Sequence, residues 1–448
     1  MSAEAETLES LRAAYTGRRA TVMGLGHFGG GVGAARFLAE HGARVTVTDQ
    51  KRADQLQAPL RELQGWPIER IAFGPHCEAD FDQADLIVAS PAIRPDHPLL
   101  ERARRAGIPV TTEIGLFWKH CPASIIGVTG TVGKSTTSAL IHHLVAASGS
   151  PSWLGGNIGG SLLTQLTSIQ PGDTVVLELS SFQLMYLDRE GRSPAIAVVT
   201  NLWPNHLDWH RSYEEYRHAK QTLLRHQTLT NVAILPQWSE SLTDWRGPGQ
   251  IVRVSDDPQL ESLELPSLPG RHNRRNLALA WAAVKSAGSA LAPNLSDVTT
   301  FRGLPHRLEF LGERQGRRFY NDSKATTPEA AIAALSAFES PVVVLAGGSD
   351  KQVDLQPLAS ELERRAKSIA LMGATAGILD RLLDDGRSGS APARRVTTSL
   401  REAFHWAAAQ SSLGDVILLS PGCASFGWFR DYADRGDQFR QLFEELPR

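Results

Sequence analysis

Ile125-Ile126-Gly127-Val128-Thr129-Gly130-Thr131-Val132-Gly133-Lys134-Ser135-Thr136-Thr137 decides how the rest of this chain is read. An apolar, β-prone run enters a glycine-rich turn. The turn enters a segment that carries Ala139, Leu140, His143, Leu144 and Ala147 at helical spacing. Strand, glycine turn and helix start together make a phosphate cradle, with backbone N–H groups and the positive end of the helix dipole facing the anion. Lys134 can reach the outer phosphates, and the hydroxyl of Ser135 or Thr136 can ligate Mg²⁺. The stretch predicts an α/β unit that binds a nucleoside triphosphate. It is not a regular Walker A sequence, because Val128 stands where the first glycine of that pattern belongs.

Outward from this run, the length of 448 residues predicts about three domains at roughly 150 residues each. The net charge of −2 favours neither nucleic acid nor an anionic membrane as partner. Cys77, Cys121 and Cys423 form neither a disulfide framework nor a zinc pattern. The polar, acidic Met1–Arg12 stretch is unlike a secretory leader, and no run approaches the ~20 apolar residues that span a bilayer. The expectation is a cytoplasmic protein.

Before the glycine run, residues 1–110 alternate strand and helix. Ala20–Gly26 reads as a strand entering a turn, Ala34–Glu40 as a helix, and Arg44–Asp49 and Asp85–Pro91 as further strands, which implies a parallel sheet of Rossmann type. Residues 111–302 form the central unit, with strands at Thr174–Leu179 and Ala195–Thr200. A loop-like stretch at 236–270 and a helix at Leu277–Val284 follow. Residues 303–448 form a third α/β unit of the same Rossmann-like kind, with strands at Pro341–Gly348, Ser368–Met372 and Asp415–Ser420.

Several clusters carry chemistry. Gly24-Leu25-Gly26-His27-Phe28-Gly29, with Asp49 ending the next strand, suits a nucleotide diphosphate but does not choose between NAD and a UDP-sugar. Glu178 ends a strand, where it either holds Mg²⁺ or is an ordinary solvated carboxylate. His206 lies in an aromatic turn, either as a ligand or simply packed. Lys220 lies on a helix, where lysine is usually a solvated charge. Asn273 and Asn276 share a helix face and can hold a base or ribose, or cap the helix. His306-Arg307 opens the third segment. Polar loops follow at Asp322-Ser323-Lys324-Ala325-Thr326, at Gly347-Gly348-Ser349-Asp350-Lys351 and at Ser420-Pro421-Gly422-Cys423-Ala424-Ser425-Phe426. Two of them directly follow strands, so one shared rim is expected, although each loop alone reads as a helix cap.

Taken in order, these clusters resemble the Mur ligase family over nearly the whole chain, and within it the branch that adds D-glutamate. The resemblance implies that ATP phosphorylates the carboxylate of UDP-N-acetylmuramoyl-L-alanine and that the D-glutamate amine attacks the acyl phosphate. It implies catalytic roles for Lys134, Glu178, His206, Lys220 and Lys351. ATP would fall to Gly130, Thr131, Gly133, Lys134, Ser135, Thr136, Asn276, Arg307 and Asp322. The UDP substrate would fall to Gly26, His27, Phe28, Asp49, Asn157, Ser180, Gln183 and His206. D-Glutamate would fall to Lys324, Thr326, Lys351, Ser425 and Phe426. Two Mg²⁺ ions would be held by Ser135, Glu178, His206 and a carbamylated Lys220. The glycine turn of the first segment thereby reads as a UDP-sugar site. A monomer without nucleic-acid or membrane partners is expected.

The chain departs from the family's pattern at Val132 (usually Asn), Ala92 (usually Gly), Gly427 (usually Asp), Tyr432 (commonly Phe) and in the bulk of the His27-Phe28 turn. A related ligase using L-glutamate or another amino acid is the nearest alternative. An NAD-dependent oxidoreductase would leave residues 130–136 without a role, and a non-catalytic nucleotide-binding protein would not need Lys134, Glu178, His206 and Lys220 together.

Overall fold

The computed structural model of the chain describes residues 3–26, 29–288, 291, 293–385 and 392–447. It is an α/β protein with three sheets. The first sheet holds β1 (Arg19–Met23), β2 (Arg44–Asp49), β3 (Ile68–Phe73), β4 (Leu86–Ala89) and β5 (Val110–Thr111), all parallel, in the order β3-β2-β1-β4-β5. The second holds β6 (Ser124–Thr129), β7 (Ser152–Gly156), β8 (Thr174–Glu178), β9 (Ile196–Val199), β10 (Val232–Pro236) and β11 (Gln250–Val254). These too are all parallel, ordered β11-β10-β9-β6-β8-β7. The third holds β12 (Glu309–Arg314), β13 (Arg317–Asn321), β14 (Val342–Ala346), β15 (Ala366–Leu371), β16 (Ala393–Val396) and β17 (Val416–Leu419), ordered β12-β13-β17-β14-β15-β16. Only the β12–β13 hairpin is antiparallel.

The central strands are short apolar runs because helices cover both faces of a parallel sheet. In β14, Val342, Val344 and Ala346 enter one buried cluster, while Val343 and Leu345 enter the other, on the opposite face. In the second sheet the chain leaves β6 in both directions, so β6 lies between β8 and β9. Ligands collect at such a reversal, outside the carboxyl ends of the strands. The glycine run follows β6 at that place.

The chain divides into two compact units. One is Met1–Asp256 with Asn276–Asp297, and the other is Asp257–Arg275 with Val298–Arg448. The first two sheets share the first unit and one continuous buried cluster, which reaches from Leu11 through Val45 and Ile125 to Trp245. The stretch 236–270 corrects the loop expectation, since it contains β11 and the short helix Pro258–Glu261. The edge position of β11 explains the difference: Gln250 and Val252 are exposed and Ile251 and Arg253 only half-buried, so the strand lacks the unbroken apolar run of a central one. Among the described residues no helix is long and apolar enough to cross a membrane.

Candidate active site

The glycine loop after β6 is shaped by two glycines in conformations that side chains avoid. Gly130 has φ +147° and Gly133, which caps the helix Lys134–Ala147, has φ +84°. A Cβ on Gly133 would overlap the Asn276 side chain, so Asn276 packs directly on the turn. Asn201, just after β9, holds the loop from outside. Its Oδ1 accepts from Thr131 N at 3.2 Å and Val132 N at 3.0 Å, and its Nδ2 donates to Val132 O at 2.9 Å. Thr200 Oγ1 donates to the same carbonyl at 2.6 Å. Lys134 Nζ donates to Gly130 O at 3.1 Å and Thr131 O at 2.9 Å, so the ammonium lies across the mouth of the loop. Ser135 is buried and Thr136 half-buried at the helix start.

Beside the loop, the structure brings together the ionisable groups named from the sequence. Glu178 ends β8, in register with Val128 of β6. Its Oε1 accepts from Asn157 Nδ2 at 2.9 Å, whereas its buried Oε2 has no hydrogen-bond partner among the described residues. Lys220, only 2 % exposed, corrects the reading of a solvated helix lysine. Its Nζ makes a long 3.4 Å contact to Thr129 Oγ1 and lies 4.7 Å from the Tyr216 ring centroid. Burial, together with the Lys134 charge and only partly offset by Glu178, pushes the Lys220 amine well below the usual lysine range. His206 sits at φ +54° in a turn and packs on Phe182 at 5.1 Å. Desolvation and the charges of Lys220 and Lys134 lower its imidazole pKa, and Asp208 opposes them.

A divalent cation fits this arrangement. A buried carboxylate oxygen without a partner is costly, and a hard cation would satisfy it. Among the described residues no three His, Cys, Asp or Glu side chains cluster as ligands, so Glu178 and His206 alone make an incomplete set. Ser135 and an anionic group on Lys220 would supply the missing oxygens.

In the first sheet, Gly24 and Gly26 have φ +87° and +68°. Gly29, with φ +79°, caps the helix Gly30–Glu40. Gly31 lies so close to the Gly24 and Leu25 backbone that no Cβ would fit. His27 and Phe28 lie outside the described residues. Asp49 is turned inward: Oδ2 accepts from Leu25 N at 2.9 Å and Oδ1 from Lys51 N at 2.9 Å, so its carboxylate fixes the turn. Ser180 and Gln183 form a capping box on the helix Ser181–Arg189.

In the second unit, loops after β13, β17, β14 and β15 form one laced rim. Gly422 N donates to Ala325 O at 3.0 Å, Gly347 N to Pro421 O at 2.8 Å and Ser349 N to Ala424 O at 2.8 Å. A cleft of about 350 Å³ is lined by Gly347, Gly348, Gly373, Ser425, Phe426 and Trp428, among others. Phe426 is 62 % exposed beside it. Lys324 Nζ lies 5.3 Å from the Tyr432 ring centroid, and Thr326 and Lys351 belong to the loops of the same rim. Burial raises the Asp322 carboxyl to about 7, opposed by hydrogen bonds from Ser420 Oγ at 2.8 Å and Leu308 N at 3.0 Å. Arg307 faces Asp322 electrostatically.

Sequence reasoning missed Asn201 and Arg435. A polar residue just beyond the strand next to β6 was the available signal for Asn201. Arg435 is fully buried in the helix Tyr432–Glu444. Its Nε donates to Ser323 Oγ at 2.9 Å, Nη2 to Ser323 O at 2.8 Å and Nη1 to Cys423 O at 3.2 Å, which joins two rim loops. The available signal was helical spacing, which puts Arg435 on the same face as the buried Phe439, Leu442 and Phe443.

Residues 18–112 match the model of the Mur ligase MurD-like N-terminal domain, residues 128–258 the Mur ligase middle domain, and residues 306–423 the Mur ligase glutamate ligase domain. A UDP-N-acetylmuramoylalanine–D-glutamate ligase of Roseiflexus sp. (strain RS-1) is 39 % identical over 96 % of this chain and 99 % of its own. The like-named protein of Symbiobacterium thermophilum is 37 % identical over 96 % and 98 %. Among solved structures, the UDP-N-acetylmuramate-alanine ligase MurC of Thermotoga maritima aligns with TM-score 0.57 at 22 % identity, covering 95 % of this chain and 99 % of that one. The MurF ligase of Thermotoga maritima in complex with ADP aligns with TM-score 0.56 at 14 % identity, covering 97 % and 96 %. Both likenesses concern the fold.

Proposed function

The chain belongs to the Mur ligase family, and we propose that it is the member that joins D-glutamate to UDP-N-acetylmuramoyl-L-alanine at the expense of ATP, in peptidoglycan precursor synthesis. The observation that carries this reading is the 39 % identity to a ligase of that name over almost the full length of both chains. The phosphate-loop crevice supplies the chemistry.

The alanyl carboxylate attacks the γ-phosphorus of ATP, the β,γ-bridging P–O bond breaks, and ADP leaves. The D-glutamate amine then adds to the acyl carbon, loses a proton, and the tetrahedral intermediate expels phosphate. Phosphoryl transfer asks for positioning and charge neutralisation. Lys134 lies where it can leave its two loop carbonyls for the transferring phosphoryl group. Gly130, Thr131, Gly133, Ser135 and Thr136 cradle the phosphates, with Asn276, Arg307 and Asp322 taking the nucleoside. Ser135, Glu178, His206 and a Lys220 carbamate would hold Mg²⁺, which would supply charge neutralisation of the phosphate oxygens. Burial lowers the Lys220 pKa and so favours the neutral amine that carbon dioxide requires: the nitrogen would add to the carbon, one proton would leave, and a carbamate anion would remain.

The turn at Gly26–Phe28, with Asp49 acting through backbone geometry, and Asn157, Ser180, Gln183 and His206 hold the UDP substrate. Lys324, Thr326, Lys351, Ser425 and Phe426 hold the dicarboxylate amino acid, which needs cations and hydroxyl donors. Three functional segments, 1–110, 111–302 and 303–448, divide these tasks in a monomer that works in the cytoplasm. The test is phosphate release by purified protein with UDP-N-acetylmuramoyl-L-alanine, ATP, Mg²⁺ and either D- or L-glutamate. Turnover with D-glutamate is expected. A folded sample that turns over only with another amino acid would overturn the substrate assignment, and one that stays silent would overturn the ligase reading.

A further inference from the structure

We propose that Arg94 is a positioning residue, a planar clamp that fixes the His206 turn and the Lys220 helix against the loop following β4. No motif singles it out, and it touches none of the reacting groups named above. Its guanidinium is nevertheless fully engaged. Nε and Nη2 donate to Asp96 Oδ1 and Oδ2, both at 3.1 Å, within its own loop. Nη2 and Nη1 donate to Glu215 Oε1 at 2.7 Å and Oε2 at 3.2 Å, and Nη1 also donates to Trp209 O at 2.8 Å. The group also lies over the Trp209 ring at 5.0 Å, and Trp209 Nε1 donates back to Ala92 O at 2.8 Å.

Trp209 and Glu215 lead to the reaction centre. Trp209 N and His210 N both donate to His206 O, at 3.1 and 2.8 Å, so the carbonyl that Arg94 holds belongs to the turn that places His206 in its left-handed conformation. Glu215 lies in the first turn of the helix Tyr213–Arg225. One residue later, Tyr216 OH meets Thr131 Oγ1 of the phosphate loop at 3.0 Å, and Lys220 follows on the same helix. The other end of the clamp is the Ser90-Pro91-Ala92-Ile93 loop at the carboxyl edge of the first sheet. The ion pairs are largely shielded, with Arg94 and Glu215 side chains 21 % and 23 % exposed. The pairing raises the Arg94 pKa and lowers those of Asp96 and Glu215, so the network stays charged throughout the neutral range. A flat fork that bonds two carboxylates and a carbonyl at once is a task for guanidinium, which an ammonium cannot reproduce. The guanidinium thereby ties the loop of the first sheet to the catalytic crevice of the second.

This inference rests on the ligase reading, and the test separates the two. Wild type, Arg94→Ala and Arg94→Lys are assayed for kcat, for KM of ATP and of UDP-N-acetylmuramoyl-L-alanine, and for thermal unfolding. Misplacing a reacting group by an ångström costs up to about 100-fold in rate, so Arg94→Ala should lose about 10-fold or more in kcat. Arg94→Lys should recover the unfolding temperature but not kcat, while the KM of ATP stays within about 2-fold, because the phosphate loop has its own anchor in Asn201. If Arg94→Ala does not fold, Arg94→Lys alone decides. Full turnover by Arg94→Lys beside an active wild type overturns the inference and leaves the ligase reading standing. A folded but inactive wild type overturns both.

Discussion

Glu113 offers a quantitative test of how burial is used in the first unit. It opens the helix Glu113–His120, is buried, and accepts a hydrogen bond from Ser161 Oγ at 2.5 Å. Burial raises its carboxyl from 4.5 to about 7, and the Ser161 bond opposes the rise. A raised acid pKa means that the folded state keeps a proton that the unfolded chain has released. Its stability contribution is therefore fully present below the unfolded value and is lost as pH rises through the folded one. The shift corresponds to about 3 kcal/mol when fully developed, of which about 2–3 kcal/mol appears between about pH 5 and about pH 8.5. Glu113→Gln keeps an oxygen acceptor for Ser161 and removes the charge. The free energy of opening of the helix Glu113–His120, read by amide hydrogen exchange corrected for intrinsic rates, avoids any assumption that two compact units unfold together. The variant's advantage over wild type should grow by about 2–3 kcal/mol across that pH range. A gap that does not change with pH, or that shrinks toward high pH, would show that Glu113 is ionised in the folded protein and refute the argument.

Asn201→Ala removes three hydrogen bonds to the phosphate loop. At about 1 kcal/mol each, the KM for ATP should rise about 10- to 100-fold, measured in steady state, with an unchanged circular dichroism spectrum. Lys220→Ala should abolish turnover and regain part of it with added short carboxylates that fill the space of the carbamate; absence of any rescue would argue against that modification. Arg435→Lys should cost about 2–4 kcal/mol of stability in the second unit, because an ammonium cannot reach Ser323 O and Cys423 O together, and should raise the KM for D-glutamate. Unchanged thermal unfolding would show that the two rim loops hold each other without it.

The strands of the central sheets were legible because burial on both faces leaves an unbroken apolar run, as in β8, β9, β14 and β17. Polar edge strands such as β11 and β16 were not, since their neighbours in space rather than in sequence decide them. The same distinction governs the site. Gly130, Gly133 and Lys134 announce themselves because a glycine turn between a strand and a helix is a local structure. Asp49, Ser180 and Gln183 stood out in the sequence, and in the structure their side chains hold backbone in place: Asp49 fixes the Leu25 turn and the other two cap a helix. Residues that join elements far apart in sequence, such as Arg94, Asn201 and Arg435, form no motif, because their meaning lies in partners more than 100, about 70 and 112 positions away.

Val132 shows how these two kinds of information combine. The family usually carries Asn there, and from sequence the substitution suggests a lost polar contact. In the structure the loop uses the backbone of residue 132: its N–H goes to Asn201 Oδ1 and its carbonyl receives Asn201 Nδ2 and Thr200 Oγ1. The side chain points to solvent and is 54 % exposed. Loop shape therefore does not depend on what stands at 132, provided that Thr200 and Asn201 remain at the end of the neighbouring strand. The part of the cradle that tolerates change is the part whose geometry is held by a neighbour, and the demand for a particular residue type falls on Gly130 and Gly133, whose φ values of +147° and +84° side chains avoid.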